Sequence, residues 1–126
     1  MSIWVGNRDG GELVDKDSAA VSVLDHGFTV GDGVFETLRV AEGQPFALTR
    51  HLARLRASAS AMGMPDPDDS VVREAVRDVI DFNDSPSMPV GRLRITYTAG
   101  RAPLGSDRGD AVPTLVVATA APTASR

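Results

Sequence analysis

The sequence has 126 residues, 42% of them hydrophobic and 24% charged, which suits one folded domain rather than two domains or a disordered chain. A net charge of -4 does not favour nucleic acid as a partner, and no stretch approaches the roughly 20 apolar residues that span a membrane. Because there is no cysteine, disulfides, zinc–thiolate sites and thiol nucleophiles are excluded. The two histidines, His26 and His51, are too far apart in sequence to predict a metal site, and we expect a cytoplasmic protein without a secretory signal.

Short strands are predicted before residue 25. Residues 3–5 and 12–14 flank a turn-forming stretch at residues 7–11 and favour a hairpin. Residues 19–24 contain enough β-branched side chains to predict a third strand. The glycines at residues 27, 31 and 33 then predict a tight, irregular connection.

A strand with two different faces is predicted at residues 34–40, where the pattern has a period of two. The otherwise apolar face carries Glu36, which is either a surface-edge residue or a buried carboxylate that needs an arginine or histidine partner. The opposite face carries Phe35, Thr37 and Arg39, and an aromatic ring beside a hydroxyl and a guanidinium is typical of a pocket lining. A turn at residues 42–44 leads into a further strand predicted at residues 45–48.

Two helices follow this strand pair. Thr49 is the predicted N-cap of the first helix, which ends at Gly63. Asp69 or Ser70 is the predicted N-cap of the second helix, which ends near Asn83. Each helix carries an apolar stripe at helical spacing, so each is expected to pack against a sheet.

Polar side chains on the first helix and on a later strand each have two interpretations. His51 and Arg54 are three residues apart and project from one side of the helix, where they are either solvated or part of a site. Residues 92–99 alternate as a strand that places Arg92 and Arg94 on one face, which is either its solvent face or an anion-binding wall. A long loop and a last strand at residues 114–120 complete a predicted α+β fold with a mainly antiparallel sheet and two helices.

Residues 25–40 have the sequence DHGFTVGDGVFETLRV. They resemble the signature of the class IV aminotransferases, the fold-type IV enzymes that use pyridoxal 5'-phosphate (PLP). Similar blocks follow in the same order and spacing as GQPF at residues 43–46, HLARL at 51–55 and GRLRI at 91–95. The family includes the branched-chain and D-amino-acid aminotransferases and the 4-amino-4-deoxychorismate lyases.

The resemblance implies roles for particular side chains. Arg54 matches the arginine that contacts the PLP phosphate in this family, with His51 and Glu36 in supporting positions. A guanidinium suits this task because its fixed fork of donors matches a phosphate. Arg94 falls where the family places a basic residue that holds the substrate carboxylate. The positions that match the family's substrate pocket are Phe35, Thr37 and Arg39.

The same resemblance implies a choice of reactions. Thr37 is more like the lyases, whereas Arg94 is closer to the branched-chain enzymes. Leu104 and Ser106 stand where the D-amino-acid enzymes carry arginine and histidine, so a D-specific enzyme is the least favoured. Amino transfer between an amino acid and a 2-oxo acid is therefore implied, with release of pyruvate and 4-aminobenzoate from aminodeoxychorismate as the alternative. The resemblance also implies a homodimer.

Length sets a limit on the chemistry, because members of this family are more than twice as long. Residues 1–120 correspond to their N-terminal small domain, residues 121–126 form a tail that we expect to be frayed, and the C-terminal domain with the Schiff-base lysine is absent from the chain. Lys16, the one lysine, matches no catalytic position, so the chain alone would hold PLP weakly or not at all. The alternative of another class is a standalone, non-catalytic module for ligand binding or association.

Overall fold

The computed structural model describes residues 1–123 and has a single antiparallel sheet. Its strands are β1 Ser2–Asn7, β2 Gly10–Asp15, β3 Gly33–Ala41, β4 Gln44–Pro45, β5 Arg92–Thr98 and β6 Thr114–Ala120. Its helices are α1 His26–Thr29, α2 Leu48–Ala61 and α3 Asp69–Asn83. The strand order is β2-β1-β6-β5-β3-β4, which confirms the predicted α+β class and adds the short helix α1.

Helices α2 and α3 cover one face of the sheet, and the hydrophobic core lies between them and the strands. Tyr97 of β5 lies fully buried in this core, and its hydroxyl donates a hydrogen bond of 2.8 Å to the carbonyl of Pro65. Burial raises the pKa of Tyr97 to about 12, so the phenol stays a donor. The largest fully buried apolar side chains around it are Trp4, Leu55, Leu93, Ile95 and Leu115.

Helix α2 has a residue with positive φ close to each of its ends. Ala47 precedes the helix at φ 56, and no side chain caps it, so the prediction of Thr49 as the N-cap is wrong. Thr49 lies inside the first turn, where its hydroxyl accepts a hydrogen bond of 3.0 Å from Arg73. Gly63 follows the helix at φ 69, which confirms the predicted left-handed end.

Helix α3 begins one or two residues earlier than predicted. The side chain of Asp68 accepts a hydrogen bond of 3.2 Å from the backbone N–H of Val71 and is the N-cap, in place of Asp69 or Ser70. The hydroxyl of Ser70 donates to the Asp68 carboxylate at 2.7 Å. Two carboxylates and a hydroxyl in succession can all cap a helix, so the sequence alone did not separate them.

Two predicted strands differ from the structure, one being absent and the other shorter. Residues 19–24 run along the surface, with Val23 72% exposed, because Ser22 accepts hydrogen bonds from the N–H groups of Leu24 and Asp25 and so forms a turn. The strand predicted at residues 45–48 is limited to β4, since the left-handed backbone of Ala47 turns the chain into α2. The tail predicted at residues 121–126 falls partly on residues 124–126, which lie outside the described residues. Between residues 1 and 123, no helix is both long and apolar enough to cross a bilayer.

Candidate functional site

Strand β3 carries side chains to both faces of the sheet, as the alternation predicts. Glu36 and Leu38 point toward the helices and are 7% and 3% exposed. Phe35, Thr37 and Arg39 are exposed on the other face, which no long helix among the described residues covers. Most of β3 also lies at an edge, because β4 pairs only with its last two residues.

On the helix side, one buried carboxylate holds two side chains of α2. Nδ1 of His51 lies 2.7 Å from Oε1 of Glu36, and Nε of Arg54 lies 3.6 Å from the same oxygen. The two interpretations of Glu36 are thereby decided in favour of the buried carboxylate with a histidine and an arginine as partners. Arg54 itself is 67% exposed, so its guanidinium reaches solvent while one nitrogen stays beside Glu36.

On the open side, the register of β3 and β5 builds a basic wall. Thr37 lies directly opposite Arg94, and Arg39 lies opposite Arg92. The guanidinium carbon of Arg94 stacks 3.9 Å from the centre of the Phe35 ring, and its Nε donates to Thr96 at 3.2 Å. Within residues 1–123, none of these three arginines has a carboxylate at ion-pair distance. An arginine held by a ring and a hydroxyl, with its charge unpaired, favours the anion-binding interpretation.

Beside this wall lies a cleft of about 300 Å³ between β3, β5 and the short helix α1. Its lining combines the exposed rings of Phe28 and Phe35 with the guanidinium of Arg94 and the hydroxyls of Thr96 and Thr98. Apolar walls with a few polar groups are typical of small-molecule sites.

The short helix α1 beside the cleft depends on Asp25, which sequence reasoning missed. Its buried carboxylate caps α1 by accepting from the N–H of Gly27 at 2.7 Å, and it also accepts from the hydroxyls of Thr98 at 2.7 Å and Thr114 at 2.6 Å. A Cβ on Gly27 would collide with the Thr98 side chain, so glycine is needed there. The signal was available in DHG, since an aspartate two residues before a free N–H is a capping pattern.

The predicted residues thus form two groups rather than one. Glu36, His51 and Arg54 meet on the helix side, whereas the pocket residues meet with Arg94 on the open side, and β3 is the element common to both. Lys16 is remote from either group: it follows β2 at the opposite edge of the sheet and lies 3.7 Å from Asp17. Among the residues that the structure describes, no cluster of three or more potential ligands could hold a metal.

Comparison with known proteins shows the family of the chain. The family model for amino-transferase class IV matches residues 33–126. The chain belongs to the class IV aminotransferase family. It is 32% identical over 94 residues to the D-alanine aminotransferase of Bacillus licheniformis, covering 74% of this chain and 32% of that protein. It is 34% identical over 107 residues to a bifunctional aminodeoxychorismate lyase / D-amino acid transaminase of Mycobacterium tuberculosis, covering 85% and 35%.

A solved class IV structure has the same fold. A hypothetical aminotransferase from Mycobacterium tuberculosis, in its PLP-bound form, superposes with a TM-score of 0.78 at 32% identity, over 94% of this chain and 39% of that one. The chain therefore spans about a third of the length of the curated class IV relatives it matches. Both relatives have a D-amino-acid activity in their names, whereas Leu104 and Ser106 made that specificity the least favoured in the sequence analysis.

Proposed function

We propose that residues 1–120 are the N-terminal small domain of a PLP-dependent enzyme that transfers an amino group between an amino acid and a 2-oxo acid. The observation that carries this proposal is the cluster in which a buried Glu36 holds His51 and the exposed Arg54. Family membership supports PLP as the cofactor of the complete protein. The catalytic lysine would come from another part of that protein, because Lys16 lies at the far edge of the sheet.

The donor set on the helix side fits a phosphate group. Arg54 turns Nε toward Glu36, which leaves its two terminal nitrogens free to donate a pair of hydrogen bonds to phosphate oxygens. The Glu36 carboxylate limits the rotamers of the guanidinium, and the His51 hydrogen bond fixes that carboxylate in turn. Fixing the donor in advance lowers the entropic cost of binding the phosphate. When bound, PLP supplies an electron-withdrawing ring that makes the α-proton of an amino acid acidic.

The open side of the sheet fits the substrate rather than the cofactor. Arg94 would bind the substrate carboxylate, since its charge is unpaired among the described residues and its plane is fixed by Phe35. Phe35 and Phe28 would contact the apolar part of the substrate and exclude water from it. Thr37 and Arg39 would line the same wall on the side away from the cleft.

A second candidate reaction is the lyase conversion of aminodeoxychorismate into pyruvate and 4-aminobenzoate. The observation that favours it is the exposed hydroxyl of Thr37 directly opposite Arg94, which adds a neutral donor beside the carboxylate site. One of the relatives carries both activities in its name. We also propose that the complete enzyme is cytoplasmic and homodimeric.

Binding to the 126-residue chain tests the cofactor side directly. Pyridoxamine 5'-phosphate is the suitable probe, because it carries the phosphate but has no aldehyde to react with Lys16. In an NMR titration we expect it to bind more tightly than pyridoxamine, and Arg54→Gln should weaken this binding about tenfold or more. Arg50→Gln is the matched control, since Arg50 is exposed on the same helix. Equal losses in the two variants would contradict a phosphate site at Arg54.

The reaction itself is tested on the complete protein produced from its gene. Exchange of label between an amino acid and a 2-oxo acid supports amino transfer, whereas pyruvate and 4-aminobenzoate from aminodeoxychorismate support the lyase. A complete protein that binds carboxylates but neither binds PLP nor turns over either substrate would support a non-catalytic module instead.

A further inference from the structure

The loop of residues 101–112, which follows β5, is tied to the segment before β3 through His26. The backbone N–H of His26 donates to the carbonyl of Gly100 at 2.8 Å, just ahead of the loop. Nε2 of the His26 ring lies 2.8 Å from the carbonyl oxygen of Pro103, inside the loop. The ring is fully buried, so these two bonds form an internal anchor.

A second anchor holds the other half of the loop through Asp32. Arg108 donates from Nε to the Asp32 carboxylate at 3.2 Å and from Nη2 to the carbonyl of Met62 at 2.8 Å. The backbone of Asp32 is fixed as well, since its N–H donates to the carbonyl of His26 at 3.0 Å and its carbonyl accepts from Ala99 at 2.9 Å. His26 and Asp32 therefore hold the two halves of one loop.

The hydrogen-bond chemistry of His26 leaves one ring nitrogen unassigned. Pro103 offers only a carbonyl oxygen, so Nε2 must carry a proton, and the neutral ring then has a bare Nδ1. Nδ1 has no hydrogen-bond partner among the described residues, although Oδ2 of Asp32 lies 3.5 Å away. A bare nitrogen beside a carboxylate places two acceptors face to face. A second ring proton would convert this repulsion into a charge-assisted hydrogen bond after a shift of about 0.5 Å.

We propose that His26 is a positioning residue that fastens the 101–112 loop in two steps, through Pro103 when neutral and through both Pro103 and Asp32 when protonated. In the protonated state the Asp32 carboxylate receives His26 and Arg108 together, so both halves of the loop are tied to one group. This inference goes beyond the proposed function and does not depend on it.

The charged groups around the ring define where protonation acts. Asp32 faces Nδ1 and is itself paired with Arg108, whereas the carboxylate of Asp25 is occupied by the Gly27 N–H and two threonine hydroxyls. The hydrogen bond from Arg108 lowers the pKa of the Asp32 carboxyl below its ordinary value, so Asp32 stays ionised near neutral pH. Histidine is the side chain that ordinarily changes charge between pH 5 and 8. The other histidine, His51, contacts Glu36 on the helix side, so the variant His26→Gln is needed to assign a pH response to His26.

The His26 anchor also lies next to the cleft. Asp25 and Gly27, the two sequence neighbours of His26, line the cleft beside Arg94 and Thr98. The loop begins three residues after Thr98. His26 therefore lies between two residues that line the cleft.

Amide hydrogen exchange of the 126-residue chain between pH 5.5 and 8 provides the test. The reporters are the N–H groups of Ala102 and Ala111, which bond to Leu24 and Arg108, with rates corrected for the intrinsic effect of pH. We expect their protection to rise about tenfold from pH 8 to 5.5, while the core amide of Ile95 changes little. Nitrogen-15 spectra of the ring should show Nε2 protonated throughout and Nδ1 protonated only at low pH.

Two variants separate positioning from general stability. His26→Gln keeps a side-chain donor for Pro103 but cannot titrate, so its loop should stay at the pH 8 level of the native chain at every pH. Asp32→Asn should likewise remove the pH dependence, because the carboxylate that receives Nδ1 is gone. The proposal would be overturned if the loop of His26→Gln showed the same pH response as the native chain. It would also be overturned if the exchange rate of the Ile95 amide changed in parallel, or if the neutral His26 ring carried its proton on Nδ1.

Discussion

The two faces of β3 differ in how they hold an arginine. On the helix side, Arg54 is fixed by Glu36, a carboxylate that is itself buried and bonded to His51. On the open side, Arg94 is held by the Phe35 ring and a hydroxyl. Glu36 and its sequence neighbour Phe35 therefore lie in different environments. Glu36 is buried beside charged partners, whereas Phe35 is exposed beside an arginine that has no carboxylate partner among the described residues.

Because of this difference, we expect the helix side of β3 to matter more for folding stability and the open side to matter more for ligand binding. A buried carboxylate is costly unless its partners stay in place, so changes on the helix side should affect folding as well as the phosphate binding proposed for Arg54. Exposed arginines without carboxylate partners contribute little to folding, and their charge is free for a ligand. The same strand thus combines a rigid support with a face that is free to bind.

The largest contrast should come from two adjacent residues of β3. Leu38→Ala removes a side chain that is 3% exposed, and we expect a loss of about 3 kcal/mol in the free energy of unfolding. Thr37→Ala changes the exposed face and should cost about 1 kcal/mol or less. Urea unfolding of both variants measures the contrast. Similar losses would mean that the open face is buried in solution.

Alternation made this contrast predictable from sequence, because the strand period assigns faces without knowledge of the neighbouring strand. For Glu36 the same pattern left two interpretations, a surface-edge residue or a buried carboxylate with an arginine or histidine partner. The helical spacing places His51 and Arg54 on one side of a helix, but only the family resemblance implied a role for them. The stacking of Arg94 on Phe35 depends on the register of β3 and β5, which the sequence does not encode locally.

What could not be predicted depends on contacts between distant segments. Residues 19–24 have the composition of a strand but pair with no strand of the sheet among the described residues. Asp25 gains its partners Thr98 and Thr114 only when β5 and β6 meet α1. The bond from His26 to Pro103 likewise joins residues 77 positions apart, so no local pattern reveals it.

An intermediate loss of stability is expected on the helix side of β3. His51→Ala leaves the buried Glu36 carboxylate without its shortest hydrogen bond, and we expect a loss of about 2 kcal/mol in the free energy of unfolding at pH 7. His51→Asn is the matched control, because its amide can donate from nearly the position of Nδ1 and should restore at least half of the loss. Equal losses in the two variants, by urea unfolding, would show that volume rather than the hydrogen bond matters.

The smallest effect concerns the open face, where the contact between Arg94 and Phe35 should be measurable only as a coupling. A double-mutant cycle with Phe35→Leu and Arg94→Gln isolates the cation–π interaction, which at an exposed site contributes about 0.5 kcal/mol to folding. Arg92→Gln in the same cycle is the control, since Arg92 shares the face but lies opposite Arg39 rather than over the ring. We expect coupling only for Arg94. Equal coupling energies for both arginines would mean that a general charge effect, and not the Phe35 ring, fixes the guanidinium. The proposal that Arg94 is a preorganised carboxylate site would then be contradicted.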